Sequence, residues 1–331
     1  MNTFKRKLLN WSSFPSLVLI IALSVINSFL IPHFFSMSYI SSFLTSYTPL
    51  IIVAMAQTFV LLGRGIDLSV GGIISLVNVI VVTLFGQGWS FPSAIAVGIL
   101  AGIIIGVLNG IVIGFLRVTP LLATLATTSV AAGAALWIMP FPGGSVPIEY
   151  VMWYQSNVIG FLPTPLLFII ISILIWFIWK ATPAGLQLYS MGRDIQKTYV
   201  SGVPVVWIQF YTYVSSGFIS AIAAIALTGN TGAGDPLVGN TYTLFAVAAA
   251  VIGSVSLMGG SGDIFGAIFG AVFLGLAFSL IYAIQIPSTY QDLTSGVIVL
   301  LGIIGASLMK KRKRTFSFKP SHIKPIGGNQ P

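Results

Sequence analysis

Residues 92–115 read PSAIAVGILAGIIIGVLNGIVIGF, and this run decides the class of fold. It holds no charged side chain, and the next basic residue is Arg117. About 20 mostly apolar residues in a helix cross the roughly 30 Å hydrocarbon core of a bilayer, so this stretch is long enough to span one. Gly98, Gly102, Gly106, Gly110 and Gly114 recur every four residues within it. Residues four apart share one helix face, and their missing side chains let another backbone come close.

The rest of the chain has the same character. Of its 331 residues, 15 are Lys or Arg and 6 are Asp or Glu; 56% are hydrophobic and the mean hydropathy is +1.00. Soluble domains carry about 25% charged residues, against 6% here. This composition excludes a soluble globular protein, a disordered chain and a nucleic-acid binder, despite the net charge of +9. The chain has no Cys, which excludes disulfides, iron–sulfur clusters and thiol catalysis. His33 and His322 cannot build a histidine-rich metal site, and no metal site is expected.

Runs comparable to 92–115 predict ten spans: Phe14–Ile31, Thr45–Leu62, Leu68–Phe85, Pro92–Phe115, Leu121–Met139, Leu162–Trp179, Trp207–Leu227, Tyr242–Met258, Ile264–Tyr282 and Leu293–Met309. Lys5, Arg6 and Lys7 precede the first. Arg64 lies between spans two and three, and Arg117 between four and five. Lys180, Arg193 and Lys197 lie between six and seven, and the other basic residues follow span ten. With a cytoplasmic N-terminus, every basic residue falls on the cytoplasmic side, as the positive-inside rule requires. The expected fold is therefore an all-α polytopic membrane protein of about ten transmembrane helices with N and C termini cytoplasmic. Residues 1–309 form a single membrane domain, and 310–331 a basic cytoplasmic tail, Lys310-Lys-Arg-Lys-Arg314 onward, expected to be disordered and to attract anionic lipid. The N-terminal basic cluster and apolar run also fit a signal peptide with a weak site near Ala22 and Ser24, but an uncleaved first helix preserves the ten spans. Gly262, Gly266 and Gly270 repeat the four-residue spacing at span nine, which runs opposite to span four. That suggests an inverted repeat of spans two to five and seven to ten.

The residues offer little for catalysis. The acids Asp67, Glu149, Asp194, Asp235, Asp263 and Asp292 are expected in loops or at span ends, with no ligand spacing and no phosphate-binding loop. Uncharged span centres disfavour an ion-driven secondary carrier, without eliminating it, and point to a motor outside the chain.

Three connections stand out. Gly63-Arg64-Gly65-Ile66-Asp67-Leu68-Ser69-Val70-Gly71-Gly72 places an acid at a helix start, with Arg64 near enough in sequence to pair with it. Met258-Gly259-Gly260-Ser261-Gly262-Asp263 is a second glycine-rich turn before a helix. The longest connection on the cytoplasmic side, about 180–206, carries Leu188, Met191 and Ile195 at the spacing of one amphipathic face. Each also reads plainly as a cap, a turn or an interfacial loop. In the outer loop 140–163, Tyr150, Trp153 and Tyr154 are expected at the membrane–water boundary.

These connections resemble the permease subunits of bacterial ABC importers for simple sugars, the ribose/xylose/galactoside family. The resemblance rests on G-I-D-L-S-V-G at 65–71, on TPLLATLATTS at 119–129 and on VIGSVSLMGGSG at 251–262, in family order along nearly the whole chain. It implies a helical half of a two-permease pore in the bacterial inner membrane, without bound cofactor. The implied partners are a cytoplasmic ATPase that holds ATP and Mg, an extracytoplasmic solute-binding protein, and a second permease, identical or not. The resemblance also assigns ATPase coupling to Gly185, Tyr189, Gly192, Arg193, Asp194, Lys197, Ser201 and Gly202. It makes signature loops of Arg64, Gly65, Asp67, Ser69 and Gly71 and of Gly259, Gly260 and Gly262. Gln57, Asn78, Asn109 and Thr127 are candidates to line a sugar path, although each could equally bond a neighbouring helix. Three departures are clear: the family usually has glycine at the positions of Arg64 and Ser254, and the coupling segment keeps Gly185, Gly192, Ser201 and Gly202 but lacks the family's arginine and paired alanines. The ABC permeases for amino acids or nucleosides remain an alternative.

Overall fold

In lipid an apolar segment can satisfy its backbone hydrogen bonds only as a helix or within a closed barrel, and the apolar runs here form helices. The computed structural model describes residues 13–158, 160 and 162–317. The elements are α1 (Phe14–Leu30), α2 (Met37–Leu62), α3 (Ser69–Gly86), α4 (Phe91–Gly110), a π turn (Ile111–Phe115), α5 (Pro120–Ile138), α6 (Ile148–Gln155), β1 (Asn157–Val158), β2 (Leu162–Pro163), α7 (Thr164–Lys180), α8 (Pro183–Arg193), α9 (Ile195–Val200), α10 (Val205–Thr231), α11 (Asn240–Ile252), α12 (Ile264–Ala283) and α13 (Ser288–Ser317). The two strands pair antiparallel in one short hairpin.

Every one of the ten predicted stretches contains a helix, but they are not ten equal spans. Among the described residues, seven helices are long and apolar enough to cross a membrane. A further candidate, α7 with α8, is bent by 81° at Ala181–Thr182. The other two, α1 and α11, have 17 and 13 residues. The basic cluster Lys5–Lys7 and residues 318–331 lie outside the described residues, whereas α13 continues helically through the basic stretch to Ser317 rather than ending at Met309.

The glycine ladder of α4 does what its spacing predicts. A Cβ would lie 2.8 Å from Gly217 O at Gly102, 2.7 Å from Tyr213 O at Gly106, and 2.9 Å from Phe210 O at Gly110. Gly114, in the π turn, faces Val206 O, so four of the five glycines seat α10 against α4. Gly98 instead meets Val77 and Val81 of α3. On α12, Gly266 and Gly270 rest against the carbonyls of Gly253 and Ala249, but Gly262 is not on the helix; it sits in the preceding turn at φ +130°. Around this frame, α10 also packs on α2 and α3, and α12 on α11, α1 and α2.

Two stretches of non-helical backbone pack against the helices: 65–68 before α3, which is largely buried, and 232–239 before α11, which is partly exposed. They share a pattern, Asp67-x-x-Val70-Gly71 and Asp235-x-x-Val238-Gly239. In each, the Asp Oδ1 accepts a hydrogen bond from the N–H two residues on, Ser69 at 2.9 Å and Leu237 at 2.8 Å. The helices that follow cross where Gly71 meets Gly239; a Cβ on Gly71 would lie 2.5 Å from Gly239 O. Irregular backbone at membrane depth survives only where protein or water satisfies it. Here side chains do so. The Gln57 amide, oriented with its nitrogen toward the carbonyl, donates to Asp67 O (3.0 Å) and accepts from Asp67 N (3.1 Å). Asn78 accepts from Asp235 N (2.8 Å) and donates to Ala233 O (3.2 Å).

The aromatic residues of the outer loop differ from expectation. Tyr150 and Tyr154, on α6, are buried and donate to Ile225 O and Thr45 O, while Trp153 stays exposed. They belong to the bundle because carbonyls near the upper ends of α2 and α10 offer them partners.

Candidate functional site at the basic end of the bundle

The three connections singled out in the sequence meet at one end of the molecule. Thr182 caps α8 by accepting from Gly185 N, and Pro183 occupies its first turn, where a missing N–H costs nothing. The helix ends at Asp194, which is extended (φ −158°, ψ 102°) and whose side chain accepts from Lys197 N at 3.0 Å to start α9. The expected amphipathic face is therefore split. Leu188 and Met191 are fully buried on α8, whereas Ile195 lies on α9 and is exposed. Periodicity carried across the break at Asp194 assigned Ile195 to the wrong face.

Leu188 and Met191 press on the end of α2. A Cβ on Gly63 would sit 3.0 Å from Leu188 Cδ1 and 3.1 Å from Met191 Cε. Gly192 touches Leu62 O and Gly260 N, which themselves share a hydrogen bond of 2.9 Å. Gly259 packs against Arg64 and Gly192, and Gly260 against Arg193. Tyr189 Oη donates to Gly262 O (3.2 Å), and Lys180 pairs with Asp263 at 3.5 Å. Gly185 lies over the backbone of Trp179 and Lys180, which lets the chain turn sharply from α7 into α8. Ser201 Oγ donates to Lys197 O, and Gly202, at φ +81°, closes α9 with open space around it. On the outer side of this platform Leu186, Tyr199 and Val200 are exposed, by 67%, 64% and 80%. Apolar side chains at the end of a bundle rimmed by Arg64, Arg193 and Lys197 form a face suited to a protein partner.

The two departures from family glycines acquire a physical meaning here. Arg64 and Ser254 both adopt left-handed backbone, at φ 65° and 69°. That region costs an L-residue about 1–2 kcal/mol relative to right-handed backbone and costs glycine almost nothing. The sequence thus departs from the family where the fold calls for a glycine.

Asp67 is not paired with Arg64. It is buried, 1% exposed, while Arg64 is exposed. Its carboxylate accepts from Ser69 N, Ser69 Oγ and Ser216 Oγ (2.7 Å), and no basic side chain pairs with it among the described residues. From Ser69 the network continues: Asn109 Nδ2 donates to Ser69 Oγ (2.8 Å), and Thr127 Oγ1 donates to Asn109 Oδ1 (2.7 Å). Gln57, Asn109, Thr127 and Ser216 thereby fasten α2, α4, α5 and α10 around the start of α3. Asn78 fastens α3 to Thr228 and to the 232–239 segment. The four path candidates thus all sit in hydrogen bonds between elements, and none lines the cavity between α2 and α11–α13. Sequence reasoning missed Asp235 and Ser216. A repeated Asp-x-x-Val-Gly marked Asp235, but nothing local marked Ser216.

On the platform the Asp194 carboxyl is held below the usual carboxylate range, first by the Lys197 N–H and further by the Lys197 ammonium at 3.3 Å. A lowered folded-state pKa means the cap is fully present at neutral pH and is lost only on acidification through that lowered value. Asp194→Ala should speed amide exchange at Lys197 and Thr198 severalfold, whereas Asp194→Asn, which keeps an acceptor oxygen, should leave it unchanged. Equal exchange in both variants would show that the cap does not hold α9.

Membrane-length helices around a glycine-seated core, with a bent helix pair docked across one end, form a multi-pass membrane transport subunit. Residues 39–303 match the family described as branched-chain amino acid transport system / permease component, and the chain belongs to that family. It is a permease component and not an enzyme. It is 30% identical over 314 residues to the ribose import permease protein of Haemophilus influenzae, covering 93% of this chain and 96% of that one. It is 26% identical to the D-allose transport system permease protein of Escherichia coli, over 89% and 91% of the two chains. Identity to the autoinducer 2 import system permease protein of Escherichia coli is 28%, over 80% and 82%. Among solved structures, PsaBC from Streptococcus pneumoniae in complex with Fab superposes with a TM-score of 0.51 at 15% identity, covering 89% of this chain and 99% of that one; the likeness is one of fold.

Proposed function

We propose that this chain is the membrane subunit of an ATP-binding cassette importer, forming the translocation path for a simple sugar or sugar-like solute. The observation that carries this reading is the platform itself. Three segments distant in sequence converge on Gly192 and Gly260 and present an exposed, partly apolar helix pair at the basic end. A cytoplasmic ATPase gripping α8 and α9 would move the ends of α2, α7 and α12 together, because Leu188, Met191 and Tyr189 bind them to the helix pair. ATP and Mg belong to that partner. An extracytoplasmic binding protein delivers the solute, and a second permease subunit, the same or different, completes the pore.

In this reading the platform faces the cytoplasm, ten membrane segments leave both termini there, and the protein resides in the bacterial inner membrane in contact with anionic lipid. The short α1 and α11 and the bent α7–α8 count among the ten. The inverted repeat is supported by the matched pairings, α4 with α10 and α12 with α2, and by the two Asp-x-x-Val-Gly segments that cross at Gly71 and Gly239. A sugar is favoured because relatives matching more than four-fifths of the chain are import permeases for ribose and allose.

The test is uptake of D-ribose and D-allose into proteoliposomes holding this chain with its ATPase and binding protein. ATP-dependent uptake that stops when the ATPase is omitted supports the reading. Uptake by the chain alone under a sodium or proton gradient would make it a secondary carrier. ATP-driven uptake of amino acids or nucleosides instead would change the substrate class.

A further inference from the structure

We infer that the cavity between α2, α11, α12 and α13 is a site where an uncharged, polyhydroxylated solute rests on its way through the protein. This deepens the function proposed above and rests on it. The cavity measures about 570 Å³, within the range of small-molecule sites. Its wall has two kinds of surface. Tyr47, Phe245 and Phe278 supply aromatic faces, with Phe245 and Phe278 ring centroids 4.9 Å apart and Tyr47 and Phe278 6.4 Å apart. Between them stand hydroxyls on Ser46, Thr241, Tyr242 and Ser295, none of which has a hydrogen-bond partner among the described residues. None of the described lining residues is charged.

Unpaired hydroxyls on the helices of a membrane bundle cannot face lipid cheaply, since hydrocarbon offers no partner. Water or a polar solute must meet them. Among the described lining residues an anion or cation would find no counter-charge, and a wholly apolar solute would leave the hydroxyls unmet. A carbohydrate satisfies both surfaces, its C–H faces lying on the rings and its hydroxyls exchanging hydrogen bonds with the wall. The cavity also lies where α11 begins late, at Asn240, after the non-helical stretch 232–239. Interrupted helices at membrane depth recur beside transported solutes because their free backbone ends add polar groups there.

The chain has no Cys, so a single introduced thiol is unique in it. Thr241→Cys and, separately, Ser295→Cys are assembled into the importer with ATPase and binding protein, then alkylated with N-ethylmaleimide. Alkylation after assembly avoids any folding defect. The expected result is that alkylation lowers ATP-driven D-ribose uptake by about tenfold or more and that added D-ribose slows the alkylation. Complete alkylation with unchanged uptake overturns the site, and so does failure of both thiols to react. If the parent importer moves neither D-ribose nor D-allose, the sugar reading itself falls, and that failure shows before any cysteine is introduced.

Discussion

Replacing Gly192 by Val should abolish ATP-driven uptake while leaving a folded protein in the membrane. Its added side chain would overlap Leu62 O and Gly260 N, the two atoms whose hydrogen bond joins the end of α2 to the 253–263 loop. Overpacking of this kind costs about 1–3 kcal/mol, too little to unfold a stable bundle but enough to displace α8 from its seat. Displacement matters because α8 is held elsewhere mainly by Leu188 and Met191 on Gly63 and by one Tyr189 hydrogen bond. The expected readout is at least about a tenfold fall in uptake with loss of ATPase pull-down, but little change in thermal midpoint. Gly296→Ala is the control: a Cβ there meets nothing within 4 Å. Full transport in Gly192→Val would remove the platform from the coupling route.

Asp67→Ala should have the opposite profile, a loss of stability that precedes any question of transport. The substitution strips the acceptor from Ser69 N, Ser69 Oγ and Ser216 Oγ together. Each buried donor left unpaired costs about 1–3 kcal/mol, and whole domains are stable by only about 5–15 kcal/mol. The thermal midpoint in detergent should therefore drop by roughly 5–15 °C. Asp67→Asn keeps one oxygen acceptor and should lose markedly less. An unchanged midpoint in Asp67→Ala would mean that the carboxylate does not organise the five-helix junction.

These two sites also show which features could be read without coordinates. The α4 ladder was legible because its meaning is local: glycines every four residues on a helix can only mark a close approach. The glycine-rich turns were legible for the same reason, but their meeting with the 180–206 segment at Gly192 and Gly260 depends on tertiary packing and was not read from the sequence. Asp67 was read as a loop cap beside Arg64, and the local half of that, its bond to Ser69 N, is present. Its burial depends on Ser216, 149 residues away, which no local pattern reveals. Asp235 repeats the pattern of Asp67 and lies in a loop as expected, but the bond from its N–H to Asn78, 157 residues away, is one that no local pattern reveals. Tyr150 and Tyr154 look like boundary aromatics for the same reason: their partners on α10 and α2 are supplied by tertiary packing. At α8–α9, helical periodicity persisted through a backbone break that one extended residue, Asp194, creates.

The brevity of α11 bears on how the protein is made. At 13 residues it rises only about 20 Å, short of the hydrocarbon thickness. A nascent segment this short, preceded by polar backbone, has little tendency to partition into lipid alone. Its entry depends on α3, which must already be in place to receive Gly239 against Gly71 and to hold Ala233 and Asp235 through Asn78. In the ten-segment reading proposed above, the N-terminal half would act as an internal template for insertion of the C-terminal half. Asn78→Leu, far from the ribosome-proximal segment it serves, should leave chains with α11 stranded at the membrane surface and open to protease at residues 232–239.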